Sequence, residues 1–569
     1  MNMLEEKDQR DGTIASEQVN IPTTSPEPVS NKYENNYDGW TKEELINEIK
    51  KLRKRKRYGL VWEEKDEQVV KKCNEFLPIL REVTEKSISV HNIDNLNILI
   101  EGDNYHSLSV LNYTHDRAVD VIYIDPPYNL GNGDFIYNDK IVDKEDAYRH
   151  SKWLSFMNSR IKLAKSLLKP EGIIFISIDE NEFSQLKLLC DNIFDEKNYI
   201  GTFVWRKKAG AGADSKLIFI QHDYVLFYSK NKDKLERFYQ PLNKKQKKEY
   251  KNPDNDPRGP WAQTDLTAPS SDTDDKRLYK IISPLTGKEW LKRWSYTKEN
   301  FEKLLEDNLV WFGKSGNSTP KRKRFLSEKE GLVPRSLIDF VLTSDGKKDL
   351  ESIFGKESRV FDYPKPVELV KHLIRLNGKK DSLVLDFFAG SGTTGQAVVE
   401  TNSEDGGNRR FILCTNNENL IAENVCYPRI KTVILRNDEN KELKSSESSL
   451  KYFKTDFVEA LETDSNKKQL VDSSTEMLCL KEYCFNLISN GKYYKIFNGA
   501  EYKLLCIIYD DDGIEEAKIQ LKNIGKKAIV YVFSLDDGNK EDEFTDLIDL
   551  IEIKPIPASI LNVYRRIFK

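Results

Sequence analysis

Two stretches of this 569-residue chain, about 97–230 and 367–435, alternate short apolar runs with longer segments of helical periodicity. The runs predict strands at Asn97–Ile100, Val121–Ile124, Gly172–Ile178, Leu383–Leu385 and Phe411–Thr415. They are apolar at consecutive positions rather than at every second one, and rich in β-branched residues, as in strands buried on both faces. Between them, Asp146–Lys169 places Trp153, Leu154, Met157, Ile161, Ala164 and Leu168 on one helical side, and Pro170-Glu171-Gly172 ends it. Further helices are predicted at Glu182–Phe194, at Val367–Leu376, through Gln396–Glu400, and from near Pro428. Tyr199–Trp205 and Tyr224–Tyr228 read as antiparallel edge strands. Strand–helix alternation of this kind predicts an α/β fold with a doubly wound, Rossmann-like sheet.

Outside these stretches the pattern changes. Residues 1–38 are polar, with Thr23–Pro28 rich in Ser, Thr and Pro, the composition of a disordered tail. Thr41–Leu52 opens with a capping box, Thr41 to Glu44, and continues as a helix. It leads into Lys50–Tyr58, a basic run that suits either a solvated helix end or phosphate contact with DNA. Residues 231–350 break the α/β rhythm. They carry Phe238, Tyr239, Trp261, Trp290, Trp294, Tyr296, Trp311 and Phe312 among many lysines, with Lys321-Arg322-Lys323-Arg324 after a glycine-containing turn. Residues 436–455 read as a charged, serine-rich linker, and 456–569 as a further unit with strands at Lys503–Asp510 and Lys527–Phe533 around helix Ile514–Ile524. The divisions expected are 1–38, 39–88, 89–230, 231–350, 351–435 and 456–569, the last an assembly domain.

Charge narrows the partners. With 89 basic and 93 acidic residues the chain is no polycation, so any nucleic-acid surface must be local. Cysteines at 73, 190, 414, 426, 479, 484 and 506 form no CxxC and read as buried small apolar residues, not as a zinc site or disulfide framework. The six histidines show no paired metal spacing. With no signal-peptide pattern and no apolar run near 18 residues, the expectation is a soluble cytoplasmic protein.

Two motifs carry candidate chemistry. The strand at Val121–Ile124 ends in Asp125-Pro126-Pro127-Tyr128-Asn129. Pro126 cannot continue a ladder and Pro127 keeps it extended, so a stiff loop holds one carboxylate, free carbonyls and an aromatic ring at a strand's C-terminal end. A flat base with an exocyclic amine could stack on Tyr128 and donate to Asp125 and the Pro126 carbonyl. A capped turn with a proline stop would use the same residues. About 260 residues later, Leu383–Leu385 leads through Asp386-Phe387-Phe388-Ala389-Gly390-Ser391-Gly392-Thr393 into a helix that Thr393 and Thr394 can cap. The glycines permit close approach of a ligand, but the turn has neither a phosphate-loop lysine nor the dinucleotide spacing. Asp179 reads as a helix cap. Arg206–Ala213 reads as a hairpin loop or as one that closes over DNA.

Taken together the two motifs resemble those of the DNA amino-methyltransferases, in the permuted order of the β class. Glu101–Asn104, Phe361–Leu369 and Arg410–Glu418 extend the resemblance over about 90–230 and 355–435. The resemblance implies a methyltransferase core using S-adenosylmethionine, with target recognition in the insertion and N- and C-terminal extensions. It implies catalysis by Asp125, Pro126, Pro127 and Tyr128 on a base flipped from duplex DNA, with no metal and no covalent enzyme intermediate. It implies cofactor contacts from Asp103, Lys365, Asp386, Phe387, Phe388, Ala389, Gly390, Ser391, Gly392, Thr393 and Glu418. Asp125 favours adenine N6 over cytosine N4, whose enzymes often carry Ser there. Cytosine C5 is disfavoured because no Pro-Cys pair occurs. Length and layout resemble the modification subunit of type III restriction–modification systems, which implies a homodimer and a helicase-nuclease partner. The alternatives are a solitary adenine methyltransferase, a specificity subunit without catalysis, and an enzyme acting on RNA or a protein amide.

Overall fold

The computed structural model describes residues 41–53, 60–88, 95–210, 217–238, 240, 242, 247–328, 331–356, 360–436, 448–499, 503–536, 538 and 540–568. The expected tail 1–38, most of the basic run, the tip of the loop after Arg206, Tyr239 and much of the expected linker lie outside them. The chain divides into two units at Gly59. The first contains the helix Lys42–Arg53, whose capping box forms as the sequence predicts: Thr41 N donates to Glu44 Oε2 at 2.7 Å and Glu44 N to Thr41 Oγ1 at 3.3 Å.

The second unit is built on a ten-stranded sheet. Its strands in chain order are β1 (Phe76–Glu82), β2 (Leu96–Glu101), β3 (Val119–Ile124), β4 (Leu168–Ile178), β5 (Tyr199–Arg206), β6 (His222–Ser229), β7 (Leu337–Ile338), β8 (Leu383–Asp386), β9 (Arg410–Thr415) and β10 (Ser449–Glu459). Their spatial order is β1-β10-β2-β9-β8-β3-β4-β6-β5-β7, parallel except for the pairings of β1 with β10 and of β6 with β4 and β5. Helices α1 (Asn104–Thr114), α2 (Arg149–Leu167), α3 (Phe183–Phe194), α4 (Val367–Arg375), α5 (Thr393–Asp405) and α6 (Tyr427–Leu435) cover it.

The continuous apolar runs follow from coverage on both faces. Ile122 and Ile124 of β3 join Ile174, Leu383, Trp153 and Met157 in one core, while Val121 and Tyr123 join Val384, Phe411, Leu373 and Val398 in the other. Successive strand residues point to opposite faces, so both registers must be apolar.

Several boundaries differ from the expectation. α2 begins at Arg149, and β4 follows at Leu168 without a break at Pro170. Tyr224–Tyr228 is no edge, since β6 lies between β4 and β5. The segment 76–82, expected as part of a basic helical stretch, is the edge strand β1. Ser449 onward, expected as linker, is β10, which pairs parallel with β2 from Ser449↔Leu96 to Lys454↔Glu101. Beyond it a five-stranded sheet includes Cys484–Asn490, Tyr494–Gly499 and Ile551–Ile556 beside the two predicted strands. That region is not self-contained. Met477, Leu478, Tyr531 and Tyr564 belong to the core beneath α1 and α2, and Tyr564 donates to the Pro78 carbonyl at 2.5 Å.

The insertion builds its own small core from Leu266, Ile281, Trp290, Trp294, Phe301, Leu304, Val310 and Phe312. Aromatics interleaved with lysines suit base-edge contacts by composition, but Trp261, Trp290, Trp294 and Phe312 of the insertion are buried. A unit this small needs its largest side chains inside to bury enough apolar surface. Lys323 is likewise buried, 2.5 Å from Asp254 and 3.1 Å from Asp256. No helix among the described residues is long and apolar enough to cross a membrane.

Candidate functional site

The topology places the site. β8 and β3 are neighbours, in register Val384↔Val121 and Leu385↔Ile122. From β8 the chain passes through α5 to β9 on one side, and from β3 through α2 to β4 on the other. The chain thus leaves in opposite directions beyond two adjacent strand ends, the arrangement that opens a crevice in doubly wound sheets. Asp125-Pro126-Pro127-Tyr128 follows β3 there, and Asp386–Thr393 ends β8, so the two sequence motifs meet.

On the β3 side, Tyr128 donates its hydroxyl to Asp125 Oδ1 at 3.0 Å. Lys365 Nζ lies 2.7 Å from both Asp125 oxygens and 4.9 Å from the centre of the Tyr128 ring. Trp153 of α2 donates to the Pro127 carbonyl at 2.7 Å and pins the proline turn. Burial and the Asp125 charge hold the Tyr128 hydroxyl protonated, well above its ordinary range. Asp125, half-buried, presents its carboxyl group beside one half-buried aromatic ring.

On the β8 side, Gly390 and Gly392 have φ 49° and 82°, left-handed values that suit glycine. A Cβ at Gly392 would stand 3.1 Å from Cys426 Sγ, just before α6, and 3.4 Å from Ile430 Cδ1 of α6, so these neighbours would have to give way. At Gly390 the nearest atom to such a Cβ is Phe361 Cζ at 3.7 Å, which leaves the backbone accessible. Ala389 N donates to the Cys414 carbonyl at 3.1 Å, tying the turn to β9. Thr394 Oγ1 donates to Asp386 Oδ2 at 2.5 Å and Phe388 N to Oδ1 at 2.9 Å. Neither Thr393 nor Thr394 caps α5 by a side-chain bond; Gly392 stands at its N-cap, and the Thr393 hydroxyl donates to the Lys365 carbonyl at 3.3 Å. Burial, assisted by Asp125, pushes the Asp386 carboxyl up to about 7 against the lowering effect of its two hydrogen bonds.

Asp103 precedes α1 and accepts from Tyr105 N at 2.7 Å. Gly102 before it is explained by β10, because a Cβ there would stand 2.1 Å from Thr455 Oγ1. Glu418 is exposed beyond the end of β9. The structure thus brings Asp103, Phe387, Phe388, Ala389, Gly390, Ser391, Gly392, Thr393 and Glu418 to one edge, spread over the ends of β2, β8 and β9. Lys365 differs: its carbonyl faces the glycine turn, and its ammonium lies on Asp125. Asp386 also differs, with both carboxyl oxygens engaged inside the fold. Asp179 accepts from Asn181 N at 2.9 Å in the turn before α3.

Three supporting residues, Glu67, Arg160 and Arg429, were missed by sequence reasoning. Arg160, fully buried, donates to Glu67 at 2.8 and 2.7 Å and to Asn104 Oδ1 at 2.5 Å; Asn104 donates to the Phe387 carbonyl at 3.1 Å. Arg429 donates to the Ser391 hydroxyl at 3.0 Å, the Thr393 hydroxyl at 3.0 Å and Gln396 Oε1 at 2.7 Å. The available signal was an arginine on an otherwise apolar helical face, as at Arg160 in α2. The carboxylates Asp103 and Glu418, an open glycine backbone and a half-exposed Phe388 ring fit a nucleoside-bearing ligand.

A family model described as DNA methylase matches residues 119–425. Among curated proteins, the chain is 38% identical over 377 residues to the type III restriction-modification enzyme StyLTI Mod subunit of Salmonella typhimurium, covering 61% of this chain and 57% of that one. It is 32% identical over 384 residues to the EcoPI Mod subunit of Escherichia phage P1, covering 58% of each. It is 33% identical over 360 residues to the type II methyltransferase M.KpnI of Klebsiella pneumoniae, covering 57% of this chain and 82% of that one. The chain therefore spans little more than half the length of the two Mod subunits.

Proposed function

The chain belongs to the DNA methylase family, and from that premise we propose that it transfers a methyl group from S-adenosylmethionine to the N6 amine of adenine in duplex DNA. The observation that carries the reading is the meeting of Asp125 and Tyr128 with the Gly390–Gly392 turn at the β3/β8 crevice. When bound, S-adenosylmethionine would supply a methyl on a cationic sulfur: the amine nitrogen would form the N–C bond as the C–S pair leaves with S-adenosylhomocysteine, a neutral thioether, and the methylated nitrogen would give up one proton to solvent. Asp125 and the Pro126 carbonyl accept the two amine hydrogens and direct the nitrogen lone pair out of the ring plane. Tyr128 stacks on the base once it has flipped out of the duplex. Trp153 keeps this loop fixed by its bond to Pro127. Gly390, Gly392 and Phe388 shape the cofactor pocket, with Asp103 and Glu418 as its polar contacts. Holding donor and acceptor in line supplies most of the acceleration.

The Mod subunits among the relatives support a modification subunit of a type III restriction-modification system, and we propose with it a homodimer and a helicase-nuclease restriction subunit as partner. M.KpnI keeps a methyltransferase without that partner as the competing arrangement. Light scattering at twice 66.1 kDa would support the dimer.

The test is incubation with labelled S-adenosylmethionine and unmethylated bacterial DNA, beside Asp125→Ala, followed by digestion to nucleosides. Label in N6-methyladenine, absent with the variant, supports the reading. Label in N4-methylcytosine overturns the base assignment, and label on RNA or protein overturns the substrate. Tyr128→Ala with full activity on duplex DNA would remove the stacking role.

A further inference from the structure

Asn129 directly follows Tyr128, is fully buried, and has φ 59°. A non-glycine residue keeps this left-handed conformation where its surroundings compensate the strain. Here the side chain does so. Asn129 Nδ2 donates to Glu182 Oε1 at 2.5 Å and to the Arg149 carbonyl at 3.4 Å. Glu182 reaches this point from the turn between β4 and α3, and its side chain is 0% exposed. His150, in the first turn of α2 and 43% exposed, places Nδ1 2.6 Å from the same Glu182 oxygen. Arg149 Nε donates to His150 Nε2 at 3.3 Å, which puts the neutral ring's proton on Nδ1 and makes it the donor to Glu182. One buried carboxyl thus joins the loop after β3, the start of α2 and the start of α3. Glu182 Oε2 and Asn129 Oδ1 are both buried without a hydrogen-bond partner among the described residues.

We propose that Glu182 is a positioning residue for methyl transfer, fixing the Asp125–Asn129 loop through Asn129 and linking that loop to His150 and solvent. The inference rests on the methyltransferase reading. Glu182 touches neither the base nor the cofactor in this scheme; it acts through Asn129 on the direction of Tyr128. Burial, with Asp179 adding to it, pushes the Glu182 carboxyl up to about 8 although Asn129 and Arg149 lower it. Burial and then Arg149 hold His150 below its ordinary range. The groups facing Glu182 are therefore Asn129, Arg149, His150 and Asp179. In the neutral carboxyl, Oε1 accepts both donors while Oε2 carries the proton. As pH rises past 8 the carboxylate charge, shared by both oxygens, develops in a buried pocket where only Oε1 has donors, and the site must hydrate or open. Transfer then declines on the alkaline side.

The test compares single-turnover methylation rates on duplex DNA for Glu182→Ala, Glu182→Gln and Asn129→Gly across pH 6–10. Glu182→Ala should lose about tenfold or more in rate, the scale of a displaced reacting group, with S-adenosylmethionine affinity unchanged. Glu182→Gln keeps an acceptor for both donors but cannot titrate, so it should restore the neutral-pH rate and lack the wild-type alkaline limb. Asn129→Gly adopts the left-handed conformation without strain, so it should fold and still lose rate. An Asn129→Gly enzyme as fast as wild type would overturn the proposal, as would an alkaline limb unchanged in Glu182→Gln. A wild-type protein that labels no DNA would instead remove the methyltransferase reading on which the proposal stands.

Discussion

Lys365 lays its ammonium 2.7 Å from both carboxylate oxygens of Asp125, across 240 residues of sequence. The same lysine lowers the proton affinity of Asp223, whose carboxyl burial raises and Asp125 raises further. Asp125 also raises Asp386. Lys365 therefore offsets mutual repulsion in a carboxylate-rich crevice. Lys365→Met should raise the proton affinity of Asp223 and move the acid limb of the methylation profile to higher pH, because it removes a neighbouring opposite charge. Superimposable pH profiles for wild type and variant would contradict this account.

Asp386 makes stability depend on pH in the opposite sense to a salt-bridged acid. In the unfolded chain its carboxyl ionises near about 4. In the folded chain burial holds the proton to about 7. Its contribution is fully present below the lower value, falls as pH rises through this window, and is constant above it. Asp386→Asn does not titrate, and its remaining oxygen can accept from Phe388 N or the Thr394 hydroxyl. The melting temperature of the variant relative to wild type should rise between pH 4 and 7, by an amount corresponding to a few kcal/mol at most. Parallel melting curves at pH 5 and pH 8 would refute it.

The parallel strands and both motif loops were legible in the sequence for a physical reason. A strand covered on both faces needs apolar residues at every position, and Val121–Ile124 and Leu383–Leu385 have them. β1 and β10 were not legible. Phe76–Glu82, the edge strand, carries Pro78, Arg81 and Glu82, and Ser449–Glu459 beside it carries Lys454, Asp456 and Glu459 in its outer half, where coverage is incomplete. The motif matches placed Asp125 and Gly390 but not the side-chain direction of Lys365, since its ion-pair partner Asp125 lies 240 residues away. Glu182 was hidden similarly: its bond to Asn129 spans 53 residues and neither residue belongs to a recognisable spacing. The tryptophans of the insertion looked like a binding surface because composition alone does not separate a small core from an exposed face.

The two glycines of the β8 turn should separate folding from binding. Gly392→Ala meets Cys426 Sγ at 3.1 Å and forces a left-handed φ of 82° on alanine. It should cost about 1–3 kcal/mol and lower the melting temperature. Gly390→Ala carries the φ strain but has 3.7 Å to its nearest neighbour, so its loss should fall mainly on ligand binding. Calorimetric titration with S-adenosylhomocysteine, beside thermal melts, distinguishes them. Equal melting losses in both variants would show that space at the turn does not matter.

Arg160 links stability to the ligand edge. Its guanidinium is fully buried, bidentate to Glu67, and through Asn104 it orients the Phe387 carbonyl at the start of the glycine turn. Removing Glu67 alone leaves a buried cation with half its partners, so Glu67→Ala should destabilise by about 3–5 kcal/mol in denaturant titration. Replacing both partners by apolar residues, Glu67→Leu with Arg160→Met, removes the uncompensated charge and should recover most of that loss. The double variant still lacks the donor to Asn104. It should therefore bind S-adenosylhomocysteine several-fold more weakly than wild type at equal stability, a loss of about 1 kcal/mol for one oriented hydrogen bond. Wild-type affinity in the stable double variant would confine Arg160 to a folding role. Weak binding that persists after stability is recovered would place it in the support of the cofactor turn.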